Sequence, residues 1–497
     1  MSITGAGSIT AANIAAVNNM NNQLNTLSEE LSTGDAAQTY SGLGSQAGVA
    51  LALGAQLSTI GGYSSTASTV GTTLSIAQSV LTQLGDSGST VAQSISEQGA
   101  FTLDGTGQTS TQQAAAGQLG EILSLLNTQV GGNYIFSGSA LNQPSVASTS
   151  AILNGNGAQA GLTQIISERQ QADLGANGLG RLTVGGSGSN VTLTQDGSPF
   201  GFQIASVNSS LTGATVSGSP PAMSVNLASN PNAGDTIAFN LTLPDGSSQT
   251  ITLQATTDSP PGANQFTIGA NTTATAANLQ TALTGAITSL AQTALPAASA
   301  IEAANNFFSS NPPQRVAGPP FDTATSLVNG TSANTVFWYT GGSGATPARQ
   351  TATAQVGPST TVAYGMQANE QAISSLVASV AVLAATTYSA SDPNAQASYQ
   401  ALNQKVAASL SGQSGTQSIS DIEADLANAQ TTIQTATNLN TQTQTTLQNM
   451  MQNIDGVNQD QIGEQILTLQ NSLSASLSVT ARLAQLSLVN YLAPSSG

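Results

Sequence analysis

The sequence predicts an α+β chain: long terminal helices form an antiparallel coiled-coil or bundle rod, with a β-rich insertion in the middle. Three observations predict it. Apolar residues recur at alternating three- and four-residue spacings near both ends. The middle is rich in Gly, Pro, Ser, Thr and Asn, with short alternating apolar runs. Only 6% of the 497 residues are charged, against about a quarter in ordinary globular chains. Helix pairing must then rest on packing and amide hydrogen bonds more than on salt bridges. Three regions follow: a helical domain over 1–140, an insertion over 141–360, and a helical domain over 361–497 that packs on the first.

The first helix spans 8–33, where Val17, Met20, Leu24, Leu27 and Leu31 share one face and Gly34 stops it. A second runs from about Val49 to Leu84. Its stripe includes Leu53, Leu57, Ile60, Val70, Leu74, Leu81 and Leu84, and Gly61-Gly62 weakens it locally. A third covers about 112–130 and is ended by Gly131-Gly132. Towards the C-terminus, Asp392-Pro393 reads as an N-cap with Pro in the first turn. An unbroken alternation follows from Ile419 through Ile422, Leu426, Ile433, Leu447, Met450 and Ile454 to Val457. Its centre, Asn440 and Thr443, is polar, which fixes register at a cost in stability. The last helix spans about 460–492.

In the middle, Val191–Thr194, Asp196-Gly197 and Phe200–Ile204 read as strand, turn, strand. Thr236–Leu243 and Thr250–Ala255 read as a hairpin across Pro244-Asp245-Gly246. With a strand at Phe266 and a helix over Thr275–Leu290, residues 232–291 form a candidate β-β-β-α module. Trp338, in Thr335–Tyr339, reads as the core of a buried strand, with a sugar-binding aromatic as the sharper alternative.

Composition excludes several functions. Six basic residues stand against 23 acids, a net charge of -17, and no two of the six lie close in sequence. Nucleic acid needs clustered Lys and Arg, so it is not a partner, and anionic membrane surfaces are disfavoured equally. No apolar run reaches the length of a membrane span, so no membrane insertion is expected. There is no Cys and no His, which removes thiolate sites and the commonest general base and metal ligand. No catalytic residue, cofactor or metal site is assigned. The Asp-Gly pairs at 104–105, 196–197 and 245–246 lack the repeated oxygen ligands of calcium loops and read as turns. Asp421, Glu423 and Asp425 read as a solvated first helical turn.

At the extremes the chain resembles the bacterial flagellin family, which includes filament flagellins and the hook–filament junction protein. Leu24-Asn25-Thr26-Leu27-Ser28-Glu29-Glu30-Leu31-Ser32-Thr33-Gly34 is similar to the family's first helix and turn, and Leu486–Leu492 to its closing helix. Gly132-Asn133-Tyr134-Ile135-Phe136-Ser137-Gly138 and Val362–Glu370 are similar to two elements of the junction protein (hook-associated protein 3). The resemblance implies a structural subunit for motility, not an enzyme. It implies an extracellular helical homopolymer that neighbours hook, junction and cap proteins. It also implies passage, with a chaperone, through the flagellar type III export apparatus without a cleaved signal. Filament flagellin and junction protein both remain open. Flagellins recognised by the innate immune receptor carry Arg after the second heptad stretch; Val91–Glu97 has none.

The residues expected to carry assembly are Val17, Leu24, Leu57, Leu74, Ile422, Ile433, Leu447, Leu469 and Leu483. Two other classes stay open beside the resemblance. One is a secreted adhesin or sugar-binding protein with a helical stalk. The other is a hydrolase using Asp or Glu.

Overall fold

The computed structural model describes residues 4–492 apart from 98–99, 343 and 413–414. Helix α1, Thr4–Thr33, ends as the glycine requires: Gly34 sits at φ +79° and its N–H donates to the Glu30 carbonyl (2.8 Å). Helix α2 spans Ala47–Ser96 and runs unbroken through Gly61-Gly62. It extends well past Leu84, because Val91 and Ile95 continue the buried stripe. The residues between, Ser87 and Gly88, are small, and a Cβ on Gly88 would lie 2.8 Å from Leu376. Close approach there hid the continuation.

Helix α3, Ser110–Leu126, opens on a reciprocal capping box between Thr109 and Gln112. It stops before the two glycines expected to end it. Gly131 (φ +59°) and Gly132 (φ +84°) instead make the two-residue turn between β1, Gln129–Val130, and β2, Asn133–Tyr134.

The middle holds more helix than its composition suggests. α4, Thr149–Asn154, and α5, Leu162–Leu174, precede β3, Leu182–Gly185, and β4, Asn190–Gln195. Then follow β5, Gln203–Ser209; β6, Ala214–Ser219; β7, Ala222–Leu227; β8, Thr236–Thr242; β9, Ser248–Thr256; and β10, Gln265–Thr267. α6, Thr272–Gln292, and α7, Ala294–Ser309, close this stretch. One sheet has the order β3-β4-β7-β6 and is antiparallel throughout; the other has the order β10-β9-β8-β5, with β10 parallel to β9. Leu193, Val225, Phe239, Leu253, Phe266 and Leu283 meet in one core beneath α6.

The strand–turn–strand expected over 191–204 does not form. β4 and β5 belong to different sheets. Phe200 leaves the strand path and is buried with Ala172 and Val316, with the Arg169 and Arg181 guanidiniums over its ring at 5.2 and 5.6 Å. Two short ladders follow: β11, Gln314–Val316, with β12, Leu327–Asn329, and β13, Thr353–Gln355, with β14, Thr361–Ala363. Trp338 is buried, but in irregular chain between isolated bridges rather than in a strand.

The C-terminal helices are α8, Gln371–Ala385; α9, Ala395–Leu410; α10, Ile419–Asp455; and α11, Gln459–Leu492. α8 is apolar almost all round and nearly wholly buried, which is why no stripe announced it. α9 starts later than Asp392-Pro393 suggests: Asn394 is its N-cap residue, and Asp392 accepts from the Asn394 N–H (2.9 Å) in the turn before it.

Two compact units result. One comprises 1–69, 354–362 and 431–497; the other comprises 70–353 and 363–430. In the first, Leu53 and Ile60 of α2 pack with Leu447 of α10, joined by Leu57, Met451 and Ile454. Met450, expected on that stripe, is exposed, so the seam passes from Leu447 to Met451 and then Ile454. In the second, α7, α8 and α9 pack on one another and on α3 and α5.

Candidate assembly surface

In the first unit, α1 and α11 form an antiparallel pair. The end of α1 is tied to the start of α11 by an antiparallel bridge between Asp35 and Gly456. Gly34 O accepts from the Val457 N–H there (3.1 Å). Between the two helices runs an open groove of about 770 Å³. Asn22, Gln23, Thr26, Leu27, Gln465, Thr468 and Leu469 are among its walls, so amides and hydroxyls alternate there with apolar side chains.

The residues expected to carry assembly separate into two groups. Val17 and Leu24 on α1, and Leu469 and Leu483 on α11, are half-buried on the two helices that pack together. Leu57 is half-buried and joins Leu447 in one cluster. Leu447 and Ile433 are already buried inside the first unit, and Leu74 and Ile422 are completely buried in the second. Sequence reasoning missed the apolar residues off the stripe. Among the described residues, ten of the twelve exposed large hydrophobic side chains belong to the first unit. Ile14, Val49, Leu51, Leu467 and Val479 are examples, and Leu467 is 63% exposed. Their signal was an apolar residue where the heptad calls for a polar one.

Asn440, at the polar centre of the α10 stripe, is buried within the chain. Its Nδ2 donates to the Val356 carbonyl (2.8 Å) in the β13–β14 hairpin. A buried amide with a partner needs no second chain to satisfy it.

Charge is handled differently in the second unit. Arg169 Nε donates to Asp173 (2.8 Å), Arg181 pairs with Asp196 (3.1 Å), Lys405 with Asp245 (2.6 Å), Arg315 with Glu168 and Arg349 with Glu370. Burial pushes the Glu370 carboxyl up, with Arg349 pulling it back. Burial also raises Asp173, opposed by Arg169 and the Gly201 N–H. Asp196 and Asp245 each use one oxygen for their own turn, on Ser198 and Ser247, and the other for a cation. Asp421, Glu423 and Asp425, expected as a solvated turn, have separate partners. Asp421 forms a capping box with Ser418, whose N–H holds its carboxyl below the usual range. Glu423 accepts from Thr82 (3.2 Å), and Asp425 lies 3.6 Å from Arg349.

Among the described residues, no group of acidic side chains is arranged to hold a metal ion, and no helix is long and apolar enough to cross a membrane. No curated protein matches the chain. Residues 8–141 match the family model of the bacterial flagellin N-terminal helical region. This region takes in most of α1, then α2, α3, β1 and β2. The N-terminal part of the chain therefore carries the helical region of the bacterial flagellin family, which supports a flagellin-like structural subunit.

Proposed function

We propose that the chain polymerises into the flagellar filament through its terminal helices, as an extracellular helical homopolymer. The observation that carries this reading is the concentration of exposed large apolar side chains in the first unit. Scattered single apolar residues are ordinary on a surface, but a set gathered on one body marks an interaction face. The terminal domains over 1–140 and 361–497 supply the assembling helices, and the insertion over 141–360 is the part left to other roles. Type III export with a chaperone, and end contacts to hook, junction and cap proteins, belong to the same reading.

A second reading, as hook–filament junction protein, is favoured by one observation. The two segments that resemble junction-protein elements meet: Ala368 N–H donates to Phe136 O (2.8 Å) and Gly138 N–H to Met366 O (2.9 Å).

Leu467→Asp and Val479→Asp test the assembly reading. Both sites are exposed in the single chain, so the monomer keeps its circular dichroism and unfolding midpoint. Each substitution forfeits roughly 1.5–3 kcal/mol of apolar burial per contact and adds a carboxylate to a dry seam, so seeded polymerisation stops. Normal filaments from both variants refute it. Immunogold labelling of cells separates the two roles: label along the filament means filament flagellin, and a thin ring at the hook tip means junction protein.

A further inference from the structure

We propose that the second unit carries a binding site for a neutral saccharide, in the cleft built around Trp338. The cleft holds about 410 Å³, within the range of small-ligand pockets. Phe337, Trp338 and Tyr339 contribute to its wall, and Gln143, Asn311 and Asn369 also line it. The aromatic wall is fixed rather than loose. Trp338 Nε1 donates to the Phe308 carbonyl (2.8 Å), and the Phe308 and Trp338 rings meet edge to face at 5.1 Å. Tyr339 is anchored through its hydroxyl to Gly342 O (3.2 Å). Phe337 is half-buried and keeps part of its ring available.

Three features select the ligand class. Among the described residues, no lining side chain carries a charge, so neither a phosphate nor a carboxylate finds a counter-ion there. The Asn369 side-chain oxygen is buried and has no hydrogen-bond partner, although such groups are nearly always satisfied. A purely apolar ligand would leave that acceptor unpaired, at a cost of roughly 1–3 kcal/mol; a hydroxyl donor satisfies it. A sugar ring offers both complements at once: a C–H face for the aromatic wall and hydroxyls for the amides. All the residues belong to one unit of one chain, so the inference does not depend on polymerisation.

Trp338 is the sole tryptophan, so its emission reports on the cleft directly. The full-length monomer is titrated with maltohexaose, cellohexaose, chitohexaose and mannohexaose, following tryptophan emission and saturation-transfer difference NMR of the sugar protons. At least one neutral oligosaccharide binds saturably. Phe337→Ala and Asn369→Leu each weaken it about tenfold, the equivalent of one lost contact. Gln143→Ala, at an exposed rim position, weakens it less and leaves folding intact, which separates lost binding from lost structure. The proposal is overturned by any of three results: no saturable response in either readout, tighter binding of oligogalacturonate than of every neutral oligomer, or full binding retained in all three variants.

Discussion

Asn440→Leu distinguishes a residue that fixes register between chains from one that pins a local hairpin. The side chain is 2% exposed, and its Nδ2 lies 2.8 Å from the carbonyl of Val356, itself fully buried. Leucine nearly conserves the volume and removes the donor. The Val356 carbonyl loses that bond in a dry setting, which costs roughly 1–3 kcal/mol. The hairpin is closed by the Val356 N–H, which donates to Thr360 O (2.9 Å). Destabilising its closed form by that amount raises exchange of the Val356 amide roughly 5- to 140-fold. Hydrogen exchange on the monomer, read over residues 354–362, measures it, with residues of β8 and β9 as an internal reference. Unchanged exchange at Val356, together with filaments of mixed form, refutes the reasoning and returns Asn440 to the register role.

Lys405→Met leaves the Asp245 carboxylate buried beside an apolar side chain, where both partners had been largely buried. Urea unfolding should show a loss of about 3–5 kcal/mol; adding Asp245→Asn should restore most of it, and a single-variant loss below about 1 kcal/mol contradicts a buried pair. The Asp104 carboxyl is held at about 2 chiefly by the Gln108 N–H, with Thr106 assisting. Its folded pKa lies below the unfolded value of about 4, so its contribution is complete above pH 4 and disappears as pH falls through 2. A carboxyl NMR titration with a midpoint near 4, or one unaffected by Gln108→Pro, contradicts that account.

The sequence was most legible where one face of a helix is buried and the other is wet. The stripes of α1, α2 and α10 were read from spacing alone, because their apolar residues had to align to be buried at all. The hairpin of β8 and β9 was legible for the parallel reason: alternation plus Asp245-Gly246. Elements buried on every side were not. α8 and the alanine-rich α7 present no wet face, so periodicity had nothing to contrast. α5 was concealed by its own chemistry, since Glu168, Arg169 and Asp173 look like surface residues and are buried as ion pairs. The candidate sites show the same limit. A heptad stripe names residues that seek burial but not whether the chain buries them itself. Leu74 and Ile422 are consumed internally, whereas Leu467 and Val479, off the stripe, face outwards.

The scarcity of charge acquires a geometric meaning from this division. Five of the six basic residues lie in the second unit, each paired with a carboxylate. The first unit holds Arg482 and six acids: Glu29, Glu30, Asp35, Asp455, Asp460 and Glu464. All six fall in two stretches that the Asp35–Gly456 bridge brings together at one end of the α1–α11 pair. Away from that end the described parts of both helices offer amides, hydroxyls and apolar side chains, with Arg482 as the exception. Such a surface has few ion pairs to screen, so salt should weaken its association little. It can meet an identical copy without like-charge repulsion except at the acidic end. The acids therefore constrain how copies can meet: an arrangement that stacks acidic end on acidic end is disfavoured, whereas one that offsets neighbours along the helix axis brings uncharged faces together.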